Sequence, residues 1–239
     1  MRVLIACEES QEVCKAFRTL EHEAYSCDIQ ECSGGHPEWH IMGDCLPLLN
    51  GNCEFSTMDG ETHKVVGKWD LIIAHPPCTF LSNVATRHFS MKCCPPEKVI
   101  ARWEERAKAA VFFMRFALAD CDHIAVENPV GFMNSAYRKP DQIIHPYYFA
   151  ESENDNENYH EKRTCLWLKG LPTLKKKNNL LPPPPMYILN GKKGQGKKIG
   201  WCEGMRGIKG GQAERAKARS KTFPGIAKAM AEQWGKKGW

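Results

Sequence analysis

Hydrophobic and polar positions in the first half of the chain alternate between strand-like and helix-like patterns. Four short apolar runs predict buried strands, because they are too short for typical helices: residues 2–6, 23–29, 70–74 and 123–126. Two longer segments, 9–20 and 97–119, repeat apolar residues at the period of an amphipathic helix. The alternation predicts an α/β fold with a doubly wound, mostly parallel sheet.

The helix predicted at 97–119 has the clearest periodic pattern in the chain. Its expected buried face consists of Val99, Trp103, Ala107, Ala110, Met114 and Leu118. A helix between the strands at 70–74 and 123–126 is the usual crossover connection between parallel neighbours, so we expect these two strands to lie side by side.

The pattern changes after residue 130. One more strand is predicted at 164–168, and helical spacing returns at 223–234. Between them, lysine clusters, four consecutive prolines and many glycines leave little periodicity. We therefore divide the chain into a core at 1–172, a small irregular basic region at 173–221, and a C-terminal helical segment at 222–239 that packs back on the core.

Charge is distributed unevenly along the chain. Residues 169–239 contain 17 lysines and arginines against 3 glutamates, whereas residues 1–168 contain 16 basic and 25 acidic side chains. A basic segment attached to an acidic core indicates a polyanionic partner, with a solvated lysine-rich tail as the alternative. Lysines at 175–177, 192–193 and 197–198, with Arg206, Arg215 and Arg219, are the candidate phosphate contacts.

Cysteine usage and hydropathy exclude several classes of protein. The 12 cysteines include no Cys-x-x-Cys pair, so the spacing does not predict a zinc site, and we expect no metal. No apolar run is long enough for a transmembrane helix. The N-terminal apolar run is too short for a secretory signal, so we expect a cytoplasmic protein with reduced cysteines.

Two short motifs follow consecutive predicted strands. Pro76 and Pro77 restrict the backbone after strand 70–74 and present Cys78 beyond its carboxyl end. Glu127-Asn128-Pro129 follows the strand at 123–126. Because the carboxyl ends of parallel neighbours share one edge of a sheet, the Cys78 thiol and the Glu127 carboxylate are predicted to face one pocket. A thiol and an acid together suit covalent catalysis on an electron-poor ring.

These residues resemble the cytosine-5 DNA methyltransferases, in which a Pro-Cys motif carries the nucleophile and a Glu-Asn-Val motif carries the acid. The longer strings at 74–79, 127–131 and 162–172 are similar to the short, phage-type branch of that family. The resemblance covers residues 1–172 and a further string at 222–227. It implies the fold of S-adenosylmethionine-dependent methyltransferases for the core.

The resemblance also implies a reaction on DNA. Cys78 would attack carbon 6 of a cytosine while Glu127 holds and protonates the ring nitrogen edge. Asn128 would position the loop, and Arg163 would lie near the base and its phosphate. Carbon 5 would then accept a methyl group from S-adenosylmethionine, and the target base would leave the double-stranded stack to enter the pocket.

The cofactor side departs from the family pattern. A glycine-rich turn resembling Phe-x-Gly-x-Gly is expected after the first strand, but residues 7–12 contain no glycine. The resemblance assigns Glu8 to the amino group of the cofactor, Asp28 to its ribose hydroxyls and Asp44 to its adenine amino group, although each fits a solvated loop carboxylate as well. The remaining expected cofactor contacts are Cys7, Ser10, Ile29, His75 and Pro76, with His75 also interpretable as a turn residue.

Two other functions fit the sequence. A catalytically inactive homologue that only binds DNA is suggested by the altered turn at 7–12. A related pyrimidine-modifying transferase acting on nucleotides would keep Cys78 as the nucleophile, but the basic C-terminal region argues against a mononucleotide substrate. The polar segment at 81–96 is expected to close over the substrate base, or to be an ordinary connection.

Overall fold

A computed structural model describes residues 1–189, 196–199 and 222–236 of the chain. Its strands, in chain order, are β1 (Arg2–Ala6), β2 (Glu23–Asp28), β3 (His40–Met42), β4 (Cys53–Ser56), β5 (Thr62–Val65), β6 (Leu71–Ala74), β7 (Ile124–Pro129), β8 (Gln142–Ile144), β9 (Thr164–Lys169), β10 (Tyr187–Leu189) and β11 (Lys197–Ile199). Its α-helices are α1 (Glu12–Thr19), α2 (Pro96–Ala117), α3 (Met133–Ala136) and α4 (Pro224–Trp234).

Seven strands form one sheet in the order β3-β2-β1-β6-β7-β9-β8. All pairs from β3 to β7 are parallel, and β9 runs antiparallel to both of its neighbours. The five parallel strands follow the third-second-first-fourth-fifth order of an open, doubly wound sheet, with the reversal of strand order between β1 and β6. The predicted α/β class with a mostly parallel sheet is therefore confirmed.

Helices cover both faces of the sheet because its strands are apolar on both sides. Along β1, Val3 and Ile5 pack in one core with α1 and α4, while Leu4 and Ala6 pack in the other with α2. Such strands read as continuous apolar runs, and this explains why their positions are evident in the sequence. On the α4 side, the fully buried Trp234 donates a hydrogen bond from its indole nitrogen to the carbonyl of Pro172 at 2.9 Å.

Several predicted elements differ from the structure at their ends. The helix predicted from residue 9 begins at Glu12, because residues 8–11 form the turn after β1 and Gln11 has φ 59°. Strands β3, β4, β5 and β8 were not predicted, since each has only three or four residues and mixes polar with apolar positions. Short polar strands carry too little pattern to be recognised.

The predicted buried face of α2 is wrong in part. Trp103 is 46% exposed and Leu118 is 67% exposed, whereas the buried residues include Val99, Phe113 and the charged Arg106. The spacing of apolar residues indicates the wrong face because a charged residue, Arg106, occupies one of the buried positions.

Much of the predicted basic region lies outside the described residues. This applies to the lysines at 192–193 and to Arg206, Arg215 and Arg219. In the described part of the chain, β10 and β11 form an antiparallel pair that contains positions 197–198. The same described residues include no helix long and apolar enough to cross a membrane, no disulfide, and no cluster of side chains suited to a metal.

Candidate active site

The two motifs predicted to share a pocket lie at the carboxyl ends of neighbouring strands. Strands β6 and β7 are adjacent and parallel, with Ala74 opposite Val126. Just beyond these residues, the side-chain amide of Asn128 donates a 2.7 Å hydrogen bond to the carbonyl oxygen of Pro76. The predicted adjacency of the two strands is confirmed, and Asn128 connects the turn that carries Cys78 to the end of β7 that carries Glu127.

The same turn lies at the point where the strand order of the sheet reverses. The backbone N–H of His75 donates to the carbonyl of Ala6 at 2.9 Å, so the end of β6 is connected to the end of β1. In open α/β sheets, ligands bind outside the carboxyl ends of the strands at this reversal. Both the cysteine turn and the turn after β1 border this position.

A histidine and a glutamate form a buried pair there. His75 Nδ1 lies 3.3 Å from Glu127 Oε2, and their side chains are 8% and 17% exposed. Burial alone would raise the pKa of Glu127, but the hydrogen bond with His75 and the charge of Lys162 hold this pKa below its usual value. Glu127 is therefore ionised at neutral pH.

The cysteine turn is fixed to the loop after β7 by close backbone contacts. The carbonyl of Cys78 accepts hydrogen bonds from Leu81 N at 3.0 Å and Ser82 N at 2.9 Å. The carbonyl of Leu81 then accepts one from Phe132 N at 2.7 Å, and Ser82 forms an isolated antiparallel bridge with Gly131. The half-buried Cys78 is thus positioned by both loops.

Gly131 is required for this approach. A Cβ added at Gly131 would lie 2.0 Å from the carbonyl oxygen of Leu81, so we expect Gly131→Ala to displace the cysteine turn. Overpacking of this kind costs about 1–3 kcal/mol, which lowers the unfolding midpoint by roughly 2–4 °C per kcal/mol in a chain of this size. Thermal unfolding measures the effect. Gly43→Ala is the control, because a Cβ there meets nothing within 4 Å, and an equal loss in both variants would contradict the prediction.

Arg163 lies at this edge of the sheet but is exposed. It precedes Thr164, which pairs with Pro129 at the end of β7. The preceding Lys162, half-buried, is the cation whose charge lowers the pKa of Glu127. The sequence motif pointed to Arg163 and not to Lys162, whose position beside Glu127 follows from the antiparallel β9 beginning where β7 ends.

In the turn after β1, other residues occupy strained or buried positions where the sequence resemblance led us to expect glycines. Cys7 and Gln11 have φ 61° and 59°, the left-handed conformation that glycine usually supplies. Both carboxylate oxygens of buried Glu8 accept hydrogen bonds from α1, from Val13 N at 2.7 Å and Cys14 N at 3.2 Å. Glu8 therefore caps the helix N-terminus, and its burial raises its pKa.

The neighbouring loop packs tightly on this turn. Ser10 is buried, and a Cβ added at Gly34 would lie 2.6 Å from both the Ser10 carbonyl and Gln11 Cβ. The side chain of Gln11 also donates to the carbonyl of His36 and accepts from its N–H, at 2.8 and 3.0 Å. Residues 7–12 contain no glycine, but Gly34 in the loop after β2 allows that loop to pack closely against the turn after β1.

The other predicted cofactor residues follow β2 and β3. Asp28 ends β2, and its Oδ1 accepts the Gln30 N–H at 3.0 Å, while Ile29 is 78% exposed. Asp44 follows β3 and accepts the Leu46 N–H at 3.0 Å. Since β1, β2 and β3 are parallel neighbours, these side chains lie along the same edge as Cys78 and Glu127.

Cys7 is unsuited to nucleophilic chemistry. Its Sγ lies 3.9 Å from Cys45 Sγ, and this hydrogen bond, burial and the nearby charge of Asp28 all raise its pKa. A thiol in this environment remains protonated and inert.

Two buried polar atoms at the strand reversal have no partner within the described residues. They are His75 Nε2 and Asn128 Oδ1. Buried polar groups of folded proteins are almost always hydrogen-bonded, so orphaned atoms at this edge indicate a place for a ligand. Two cavities of about 460 and 300 Å³ lie elsewhere, the first of them beside Glu23 at the opposite edge of the sheet.

Comparison with known proteins does not identify this chain. No protein-family model matches its sequence, and no curated protein is significantly similar to it. The fold and site define an α/β protein with an open, doubly wound sheet and a ligand position beyond the carboxyl ends of β1 and β6.

Proposed function

We propose that this protein is a DNA cytosine-5 methyltransferase. The observation that supports it best is the hydrogen bond from Asn128 to Pro76, which joins the Cys78 turn to the end of β7 that carries Glu127. A thiol and a carboxylate held at one edge by a rigid connection are what covalent attack on a pyrimidine ring requires.

In the proposed reaction, the thiolate of Cys78 forms a bond to carbon 6 of an extruded cytosine. Glu127, ionised at neutral pH, accepts a hydrogen bond from the exocyclic amino group. The proton that leaves the Cys78 thiol passes through Glu127 to the ring nitrogen, so the bond to carbon 6 and the new N–H bond balance the S–H bond that is broken. After methyl transfer, a base, here solvent water, accepts the proton from carbon 5, the bond from carbon 6 to sulfur breaks, and the ring nitrogen returns its proton to Glu127.

S-adenosylmethionine would supply the methyl group. The side chains along this edge fit S-adenosylmethionine. Asp28 suits its ribose hydroxyls, Asp44 suits its adenine amino group, and exposed Ile29 offers an apolar surface to the adenine ring. The orphaned His75 Nε2 gives the pocket a further polar contact. Because Glu8 is committed to α1, we do not assign it to the cofactor amino group.

The experiment is a trapping reaction on duplex DNA that contains 5-fluorocytosine. Fluorine cannot leave carbon 5 as a proton does, so an active enzyme remains covalently attached to the strand. With S-adenosylmethionine present, we expect a denaturation-resistant adduct whose mass includes the oligonucleotide and one methyl group. No adduct across varied sequences, together with no binding of S-adenosylmethionine by calorimetry, would refute the proposal and favour an inactive DNA-binding protein.

His75 should also control the pH dependence of the reaction. In His75→Gln the imidazole charge that helps to lower the pKa of Glu127 is lost, so this pKa rises under the effect of burial, although Lys162 still lowers it. The ionised form of Glu127 then requires a higher pH, and the acid limb of the kcat/KM profile should move upward. A merely structural role would lower kcat/KM at every pH without moving that limb.

A further inference from the structure

Two arginines of α2 face the segment that follows the cysteine turn. Arg106 is only 7% exposed, and its guanidinium lies 3.3 Å from the centre of the Phe89 ring and 4.8 Å from that of Phe132. Arg102, one turn earlier, lies 5.2 Å from Phe80 and 5.3 Å from Phe89. Cation–π contacts with these rings therefore stabilise both guanidinium groups and fix their orientation.

No carboxylate neutralises this pair within the described part of the chain. Neither arginine takes part in its ion pairs. Arg106 Nε donates to the carbonyl of Phe80 at 2.8 Å, and Arg102 Nε is buried without a partner. Burial and the neighbouring charge of Arg102 both lower the pKa of Arg106.

Such an arrangement is costly in an isolated protein. A buried arginine such as Arg106 is normally paired, and the like charge of the half-buried Arg102 beside it is repulsive. Arg106 occupies an inward position between Val99 and Phe113, where an apolar residue would pack at no electrostatic cost. The retained charge indicates an anionic ligand.

The location identifies which anion is expected. Arg106 donates a hydrogen bond to Phe80, two residues after Cys78, and both arginines pack against the loop that contacts Gly131 and Phe132. The planar guanidinium fork matches phosphate oxygens in pairs. We propose that Arg102 and Arg106 bind a backbone phosphodiester of the substrate strand near the target base. This rests on the proposed function only in taking the substrate to be a nucleic acid strand.

The test measures DNA binding and needs no catalysis. In Arg102→Gln we expect affinity for a cytosine-containing oligonucleotide to fall about tenfold, similarly across sequences, and the slope of log Kd against log salt to decrease by about 1. Arg115→Gln is the matched control, because Arg115 is exposed in the last turn of the same helix. Unfolding midpoints verify that both variants are folded.

A second measurement uses the wild-type chain. Replacing one phosphate near the target by a neutral methylphosphonate should weaken binding to wild type, and the same replacement should cost Arg102→Gln little more. Wild type, Arg102→Gln and Arg115→Gln could instead show the same slope of log Kd against log salt and the same loss of affinity on methylphosphonate substitution. That result would show that the arginines only pack against the loop. Stabilisation by dCMP or inorganic phosphate without any Arg102-dependent loss of strand affinity would contradict strand binding. If these binding effects are observed but no adduct forms with 5-fluorocytosine DNA, the proposed methyltransferase activity is refuted and the phosphate site is not.

Discussion

Cys78→Ser should abolish the covalent adduct with 5-fluorocytosine DNA and reduce methyl transfer below detection. A serine hydroxyl is far less acidic than a thiol and far less nucleophilic toward an electron-poor ring. The loss should appear in kcat while oligonucleotide affinity changes little, because the exchange removes only the reacting atom. Single-turnover transfer of a labelled methyl group, with adduct detection by denaturing electrophoresis, measures both.

Cys93→Ser is the matched control for that experiment. Cys93 is an exposed thiol within the polar segment at 81–96, so it reports any general effect of replacing sulfur with oxygen nearby. We expect full adduct formation in this variant. An adduct that survives in Cys78→Ser but disappears in Cys93→Ser would contradict the assignment of the nucleophile.

Glu127→Gln should lower kcat/KM by about 10²–10⁴-fold, the usual contribution of a positioned acid–base group. The amide keeps the size of the side chain but removes the negative charge that pairs with His75, 3.3 Å away. The variant should still bind DNA, and its residual activity should lose the acid limb that Glu127 gives the wild-type pH profile. Initial rates of methyl transfer between about pH 3.5 and 9, a window that extends below the usual pKa of a glutamate, measure this.

Glu161→Gln provides the comparison, since Glu161 is an exposed carboxylate beside Lys162. Its activity and pH profile should match wild type. If Glu127→Gln retained nearly full activity, the carboxylate would have no part in the chemistry. Attack by Cys78 would then need another acid.

The order of strands and helices was predictable because the sheet is buried on both faces. Its central strands are therefore continuous apolar runs, visible in the sequence at Arg2–Ala6 and Leu71–Ala74. The adjacency of the Cys78 and Glu127 motifs followed from the crossover rule for parallel strands, and the pairing of β6 with β7 confirms it.

The electrostatic partners at the site were not predictable in this way. His75 resembled a turn residue, and only the sheet register places it against Glu127. Lys162 is 35 residues away along the chain and reaches that carboxylate because β9 runs antiparallel to β7. The pKa of a buried group depends on such neighbours, and no periodic pattern records them.

The sequence by itself determined the α/β class, the crossover between the two motif-bearing strands, and which thiol and carboxylate share an edge. Local patterns suffice for these because burial and chain connectivity leave few arrangements of parallel strands. The tertiary structure alone decided that Glu8 caps α1, that Gly34 supplies the close packing missing from residues 7–12, and that Arg106 faces inward among aromatic rings. The first two depend on contacts between residues that are distant in the chain, which hydrophobic periodicity does not record. The third depends on which side of a helix is buried, and periodicity does not indicate that side when a charged residue occupies a core position.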